Sequence, residues 1–195
     1  MNNSKIVFDI EADGLHPNNV WCIVAKELDG KIHTFDNTQI EEGIKFLQEA
    51  DTLIGHNIIG YDIPVLEKLY GAKFNCKIED TLVMSRLFNP VRENGHALKA
   101  WGWRVGMLKQ EQPEDFDSYT PEMLEYCIQD VKLNEAVYNY LIKEGKIFSP
   151  DSVKLEHEVA KIIKEQEKTG FFFNTQQAME LLAELKAKQL AVEDE

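Results

Sequence analysis

The sequence predicts an α/β protein in which a mixed β-sheet is flanked by helices and followed by a helical extension. Short apolar runs alternate with segments of helical periodicity over the first half of the 195 residues, and the pattern is mostly helical from Asp80 onward. A hydrophobic content of 44% is enough for one sizeable core, but the chain is too short for two large domains. We therefore expect one domain over residues 1–148 and a helical extension over residues 149–195.

The first half of the chain contains the predicted sheet. Apolar runs bounded by turn-forming residues, such as the Asp29–Gly30 pair, are typical of short strands. The predicted strands cover residues 6–10, 20–25, 31–35 and 52–55. Apolar residues at helical spacing predict two helices, over residues 40–50 and 63–70, and the second is expected to stop at Gly71.

The second half is predicted to be helical. Asp80 and Thr81 are suited to cap a helix over residues 82–88, and Pro121 is suited to the first turn of a long helix ending at Glu144. Further helices are predicted over residues 96–105, 152–168 and 175–192. The acidic, proline-bearing stretch at residues 110–121 is expected to be a loop, and residues 145–150 are expected to be a hinge.

The charge of the chain limits how it could bind nucleic acid. A net charge of −13 argues against a broad basic face for duplex nucleic acid, because phosphate contacts dominate such binding. It does not exclude an enzyme that holds a few nucleotides with the help of divalent cations. Residues 81–110 reverse the trend, with five basic residues against Glu93 alone. We interpret this segment as a surface that could face phosphates, although solvated helix faces can carry a similar charge.

The cysteines and the apolar runs indicate the compartment. Cys22, Cys76 and Cys127 are odd in number and too scattered for a disulfide framework or a zinc site, which favours a reducing cytoplasm. No apolar stretch approaches the length of a membrane span, so no membrane association is expected.

Two acids lie two residues apart in the first predicted strand. On a strand, the side chains of Asp9 and Glu11 would lie on one face while Ile10 points into the core. Such a pair is suited to a hard cation that prefers oxygen ligands. The alternative is that the two acids mark the point where the strand ends in a turn.

Two further segments carry candidate site residues. Asp62 follows a predicted buried strand and lies at or near the N-terminus of a predicted helix, where it could also be an ordinary helix cap. Tyr126 and Asp130 are four residues apart in the long helix, which places them on one face, although a surface pair would have the same spacing. The three segments together are more specific than any one of them.

This ordered set resembles the DEDDy branch of the DnaQ-like exonucleases, which have the ribonuclease-H-like fold. It is most similar to the 3′–5′ proofreading domain of family A DNA polymerases, especially the bacteriophage replicative type. Residues 80–87, 96–102 and 156–174 support this narrower resemblance. A related branch has histidine at the position of Glu125, so the tyrosine branch is the one indicated, and His96 is expected to be a structural or surface histidine.

The resemblance implies a site, its cofactors and a substrate. Two divalent ions, Mg²⁺ or Mn²⁺, are expected to be bound by Asp9, Glu11, Asp62 and Asp130. Tyr126 is expected to orient the attacking water, Leu15 to wedge between the last bases, and Asn57 to contact the sugar-phosphate near the 3′ end. The substrate would be a single-stranded DNA 3′ end, the products nucleoside 5′-monophosphates, and the location the host cytoplasm if the protein is phage-encoded.

Other interpretations remain open at this point. A ribonuclease D-like enzyme that trims RNA 3′ ends would use the same residues. An inactive exonuclease fold could also act as a scaffold for a separate DNA polymerase polypeptide. Because residues 175–195 resemble only the start of a polymerase region, no polymerase activity is expected from this chain, and both a truncated polymerase and a naturally split protein fit the sequence.

Overall fold

A five-stranded mixed sheet forms the centre of the protein. The computed structural model describes residues 4–28, 30–109 and 116–193. The strands are β1 (Lys5–Ala12), β2 (Val20–Glu27), β3 (Ile32–Phe35), β4 (Thr52–Gly55) and β5 (Lys77–Asp80). Their order in the sheet is β3-β2-β1-β4-β5. The first three strands form an antiparallel meander, whereas β4 pairs in parallel with both β1 and β5.

Four of the five strands were predicted, and β5 was not. The strand β5 is short, and its sequence Lys77-Ile78-Glu79-Asp80 lacks the run of apolar residues that usually marks a strand. It is stabilised by tertiary contacts instead. Glu79 is buried and accepts a hydrogen bond of 2.6 Å from the Tyr138 hydroxyl, which in turn accepts one of 2.9 Å from Lys5 Nζ.

The helices largely follow the predicted pattern. They are α1 (Ile40–Gln48), α2 (Asp62–Tyr70), α3 (Thr81–Phe88), α4 (Leu98–Val105), α5 (Pro121–Glu144), α6 (Pro150–Thr169) and α7 (Thr175–Glu193). Asp80 caps α3 and Pro121 opens α5, as predicted. The helix expected from residue 96 begins at Leu98, because Ala97 has an extended ψ of 148°.

The segment at residues 145–150, predicted to be a hinge, contains a short helical turn and the start of a helix. Gly145–Ile147 form a single 3₁₀ turn, and α6 begins at Pro150. The ring centroids of Phe88 and Phe148 lie 4.9 Å apart. A Cβ atom added at Gly145 would lie 2.5 Å from the nearest atom of the Phe88 ring. Aromatic packing therefore fixes this connection. Of the predicted loop at 110–121, residues 110–115 lie outside the described residues, as does Asp29 of the predicted turn.

The sheet separates two apolar cores. Even-numbered residues of β1, such as Phe8, face α1 and α2, where Leu47 and Leu66 are fully buried. Val7 on the opposite face packs with residues of α3, α4 and α5, including Trp101. The alternation of side chains along β1 therefore directs its odd-numbered residues toward α5.

The chain divides into two compact units, Met1–Lys164 and Glu165–Glu195. The first contains the whole sheet and the helices α1 to α5, and the second contains the end of α6 and all of α7. The boundary at residue 148 expected from the sequence stays a prediction. Among the described residues, no helix combines the length and apolar character needed to cross a membrane.

Candidate active site

Asp9 and Glu11 lie on β1 and project from the face of the sheet that α5 covers. Both are half-buried and are paired across the ladder with β2, Asp9 with Val24 and Glu11 with Cys22. Ile10 between them is buried in the opposite core. The two acids are thus both paired within the sheet, and the strand ends one residue after Glu11, at Ala12.

Asp62 reaches the same end of β1 from a different element. It is the first residue of α2, after the loop that follows β4, and it is 3% exposed. Its Oδ1 accepts a hydrogen bond of 3.2 Å from the backbone N–H of Ile10, between Asp9 and Glu11. The side chain is therefore directed at β1, which a simple helix cap would not require. Parallel pairing of β4 with β1 brings this loop to the acidic end of β1.

The loop before Asp62 is held by Asp80. The buried carboxylate of Asp80 accepts hydrogen bonds from the backbone N–H groups of Asn57 at 2.9 Å, Ile59 at 3.0 Å and Leu82 at 2.9 Å. Asn57 adopts a left-handed conformation with φ of 68°. The sequence indicated only the capping of α3 by Asp80, because the two contacts to the loop join residues more than 20 positions apart.

Tyr126 and Asp130 approach β1 from α5. They are 6% and 4% exposed, so the alternative of a surface pair is wrong. Cys127 between them is fully buried, and its Sγ donates to the Asp9 carbonyl at 3.5 Å and lies 3.8 Å from Asp9 Oδ2. The turn of α5 that carries both predicted residues is therefore packed directly on the acidic strand. Cys127 was not predicted to lie at the site.

Burial raises the pKa of every acid in this cluster, and repulsion from neighbouring acids of the cluster raises the pKa of Asp9 and Glu11 further. Burial is the main cause of the raised pKa of Asp9, and the charges of Asp62, Glu11 and Asp130 raise it further. Burial, followed by the charge of Asp130, raises the pKa of Glu11 to about 8. Burial raises the pKa of Asp62 to about 7, against two backbone hydrogen bonds. Burial also raises the pKa of Asp130, although the ammonium of Lys109 opposes this.

Lys109 is a site residue that the motifs did not reveal. Its Nζ lies 2.5 Å from Asp130 Oδ2 and 4.7 Å from the centre of the Tyr126 ring. Burial alone would lower the pKa of Lys109, but the adjacent Asp130 carboxylate raises it above its ordinary value. The sequence placed Lys109 in a basic segment, and only the folded contacts assign it to the acidic cluster.

The donor atoms in the cluster fit a hard divalent cation. Asp130 Oδ1 is buried and has no hydrogen-bond partner among the residues that the structure describes. Ligand atoms of Asp9, Glu11 and Cys127 lie within 4.8 Å of one another. Burial raises the pKa of the Cys127 thiol well above its ordinary value, and sulfur is a soft ligand that hard cations do not favour. Carboxylate oxygens are therefore the available ligands, as Mg²⁺ and Mn²⁺ prefer.

The two predicted substrate-binding residues both have exposed side chains, on the loop after β1 and on the loop before Asp62. Leu15 is 86% exposed in the loop after β1. The Tyr61 hydroxyl donates a hydrogen bond of 2.5 Å to the carbonyl of the adjacent Gly14, which joins this loop to the residue before Asp62. Asn57 has an exposed side chain at the start of the loop held by Asp80.

The basic segment over residues 81–110 is not the open phosphate-facing surface that was predicted. Arg92 is buried, pairs with Glu144 at 2.6 Å and stacks on Trp101. Arg104 also stacks on Trp101. Together with Lys109, three of the five basic side chains are used in internal contacts, and Arg86 and Lys99 remain exposed.

His96 is a structural histidine, as the sequence indicated. Its Nδ1 lies 2.8 Å from Ser85 Oγ, and the same hydroxyl accepts a hydrogen bond of 3.1 Å from Trp101 Nε1. These contacts tie the segment before α4 to α3.

Two phage polymerases are similar to this chain in sequence. No family model matches the sequence. The DNA-directed DNA polymerase of Enterobacteria phage T3 is 26% identical over 94% of this chain and 35% of the polymerase. That of Escherichia phage T7 is 28% identical over 70% of this chain and 28% of the polymerase. The chain therefore spans about a third of the length of these relatives.

Solved structures share the fold at lower identity. NrnC of Brucella melitensis matches with a TM-score of 0.67 and 17% identity, over 87% of each chain. A second structure of NrnC, with bound Mg²⁺, matches with a TM-score of 0.66 and 16% identity over 87% of each chain. Escherichia coli RNase D, described as an exoribonuclease involved in structured RNA processing, matches with a TM-score of 0.63 and 16% identity over 82% of this chain and 44% of RNase D.

Proposed function

We propose that this chain, which is a DnaQ-like exonuclease domain homologous to the T3 and T7 phage DNA polymerases, removes nucleotides from single-stranded or frayed DNA 3′ ends by metal-dependent hydrolysis. The observation that carries the proposal is the meeting of Asp9, Glu11, Asp62 and Asp130 at one place. They come from β1, α2 and α5, and burial holds the pKa values of all four above the ordinary range, with repulsion between the acids adding to the effect at Asp9 and Glu11. Such an arrangement is costly unless it binds positive charge.

The four carboxylates are the proposed ligands of two divalent ions, Mg²⁺ or Mn²⁺. Ions bound there would stabilise negative charge on the attacking and leaving oxygens of an in-line displacement at phosphorus. Two findings support this assignment: one buried oxygen of Asp130 has no hydrogen-bond partner among the residues that the structure describes, and an NrnC structure contains bound Mg²⁺.

Tyr126 is proposed to orient the attacking water through its hydroxyl. Burial raises the pKa of Tyr126 above its ordinary value of 10.0, so the hydroxyl keeps its proton at neutral pH. It can donate or accept a hydrogen bond but is a poor general base. Glu11, on the facing strand, is proposed to hold the same water from the other side.

The substrate is proposed to be a single-stranded 3′ end, released as nucleoside 5′-monophosphates. Leu15, exposed and anchored through Gly14, is proposed to wedge between the terminal bases. Asn57 is proposed to contact the sugar-phosphate. Apolar contact with bases is tolerant of sequence, and a mispaired end frays more easily than a paired one, so a proofreading preference would follow.

The test is to incubate the full chain with 5′-labelled single-stranded DNA or RNA and Mg²⁺ or Mn²⁺, beside an Asp9→Ala control. A ladder that shortens from the 3′ end on DNA, and that is lost with chelator and in the control, supports the proposal. Shortening that persists in Asp9→Ala would assign the activity to a contaminant.

An RNA substrate is a second candidate, and the likeness to RNase D favours it. The same experiment separates the two, because stronger shortening of RNA than of DNA would select the second candidate. A chain that binds DNA without shortening it would instead act as a scaffold for a polymerase. The polymerase relatives make such a partner, on the same or a separate polypeptide, part of this proposal.

A further inference from the structure

Lys109 places a positive charge inside the acidic cluster. Its side chain is 20% exposed, its Nζ is 2.5 Å from Asp130 Oδ2, and it covers the Tyr126 ring at 4.7 Å. Both of these residues have proposed roles in the site. Lys109 therefore contacts the site machinery directly, in a place where a cation is expected to bind.

The position of Lys109 is built by the residues that precede it. Gly106 ends α4 in a left-handed conformation with φ of 71°, and Met107 N–H donates to the Gly102 carbonyl at 2.9 Å. A Cβ at Gly102 would lie 2.7 Å from the Met107 carbonyl oxygen, so the segment needs a glycine there. The Leu108 carbonyl accepts a hydrogen bond of 2.7 Å from Gln129 Nε2 on α5. The backbone before Lys109 is thus fixed on both helices.

One ammonium cannot satisfy the cluster. Lys109 carries a single positive charge against four carboxylates, and its ion pair uses one oxygen of Asp130. The other oxygen, Oδ1, is buried and has no hydrogen-bond partner within the described part of the chain. A divalent cation could therefore begin to bind Asp130 while Lys109 is still present. Both cations cannot keep full contact with that carboxylate, because like charges a few ångströms apart repel strongly at low dielectric.

We propose that Lys109 is a resident counter-ion that pairs with Asp130 in the metal-free protein and yields this carboxylate to the divalent cation, so that Lys109 sets the affinity of the site for metal. The inference rests on the proposed metal-dependent function. It adds that the Lys109 ammonium competes with the metal ion for the Asp130 carboxylate. Lys109 stabilises the metal-free fold by neutralising buried charge, and it weakens metal binding by the same contact. No bond is made or broken in this exchange, which is a swap of ion-pair partners.

The test measures Mn²⁺ binding to the metal-free full chain by titration calorimetry, with thermal unfolding measured in parallel. Lys109→Met is expected to bind Mn²⁺ about tenfold more tightly than the wild type, which corresponds to about 1.4 kcal/mol. Its metal-free form is expected to melt at a lower temperature, and saturating Mn²⁺ is expected to close most of that gap. Lys109→Arg, which keeps the charge, is expected to retain weak binding. Lys99→Met removes an exposed lysine and is expected to leave Mn²⁺ affinity unchanged.

The outcomes separate this inference from the proposed function. If the wild type binds Mn²⁺ and Asp9→Ala does not, but Lys109→Met binds no more tightly than the wild type, the counter-ion role is overturned and the metal site stands. If the wild type itself binds no Mn²⁺, both proposals fail. Should Lys109→Met not fold, Lys109→Gln is the second neutral variant, and the same tightening is required of it.

Discussion

Asp9 carries an electrostatic cost that comes from burial and from the charges of the neighbouring acids. It is held beside three other acids, and burial adds to their repulsion. Asp9→Asn keeps the size of the side chain and removes its charge. We expect the metal-free variant to melt a few degrees higher, since about 1 kcal/mol shifts the melting temperature of a domain of this size by roughly 2–4 °C. We expect hydrolysis to fall by more than about 100-fold, because outer-shell changes alone weaken metal sites by roughly 10–100-fold.

Thermal unfolding with chelator and a 3′-end assay with Mg²⁺ measure the two effects on one preparation. A substitution that raises stability and removes activity indicates that the original residue is retained for function. A variant that is less stable and still active would remove Asp9 from the site.

Tyr126 is expected to affect catalysis without affecting metal binding. Tyr126→Phe keeps the buried ring and removes the hydroxyl, so metal affinity should stay within error of the wild type. The rate at saturating metal should fall by roughly 100-fold, at the low end of what a positioned proton-transfer or water-orienting group contributes. Mn²⁺ titration and single-turnover hydrolysis check the two parts. An unchanged rate would contradict the proposed role.

Glu11 makes the metal-free protein sensitive to pH. Its pKa is about 8 when folded and near 4.5 when unfolded, so between these values the folded state binds more protons than the unfolded state. Its contribution to stability is therefore fully present below about pH 4.5 and is lost as the pH rises through about 8. With chelator present, the urea midpoint of the wild type should fall between pH 5.5 and pH 8 by more than the midpoint of Glu11→Gln does. Equal losses in the two proteins would contradict the raised pKa.

The sequence pointed to the acids and Tyr126 because periodicity placed Asp9 with Glu11, and Tyr126 with Asp130, on one face, and because the ordered motifs, which include Asp62, resemble those of a known family. It was not enough to find Lys109 or the loop contacts of Asp80. These roles depend on contacts between segments that are far apart in sequence, and a local pattern of charge or hydrophobicity does not predict such contacts. The catalytic and substrate-binding roles assigned from the sequence stay predictions.

At the level of elements, the loop between β4 and α2 depends on an acid in β5. Asp80 accepts three backbone hydrogen bonds, two of which hold the loop that delivers Asp62. Asp80→Ala is expected to lower the free energy of unfolding by about 2–3 kcal/mol, from the lost helix cap and the unpaired buried N–H groups. Activity should fall as well, because Asp62 loses its support.

Urea unfolding and the 3′-end assay measure both effects of Asp80→Ala. Asp36→Ala is the matched control, since Asp36 accepts a hydrogen bond of 2.9 Å from Thr38 N–H at the surface. It is expected to cost about 0.5 kcal/mol or less and to leave activity unchanged. Equal losses in the two variants would contradict the supporting role of Asp80.

The elements with strong apolar periodicity were predictable, and β5 shows why one was not. Its buried acid Glu79 is stabilised by Tyr138, which lies 59 residues away on α5. A contact between residues so far apart in sequence can stabilise a four-residue strand, but it leaves no pattern in the local sequence. The 3₁₀ turn after α5 was missed for a related reason, since contacts with Phe88 order a segment whose glycine and proline suggested a hinge.

At the level of the whole molecule, the proposed site lies entirely within the unit Met1–Lys164. A chain ending at residue 164 is therefore expected to fold and to keep the hydrolytic activity of the full chain. Circular dichroism, thermal unfolding and the 3′-end assay on both proteins check this expectation. Loss of activity in a folded truncated chain would show that residues 165–195 take part in catalysis or substrate binding.

The predicted fold and the predicted resemblance to phage polymerase exonuclease domains are both confirmed. The three ordered motifs were enough to predict the fold and the resemblance, because each motif lies on a different element around the same sheet. The substrate and the reaction could not be settled in the same way, because the same arrangement is shared with RNase D.

The separation of the site residues along the chain has a consequence for how the protein matures in the cell. Asp9, Asp62 and Asp130 are each more than 50 residues apart along the chain, so a nascent segment holds the full set of ligands only after Asp130 has been synthesised. On the proposed mechanism, an unfinished or misassembled copy would be harmless to nucleic acid. Cutting would begin only when the last of these strands and helices had docked.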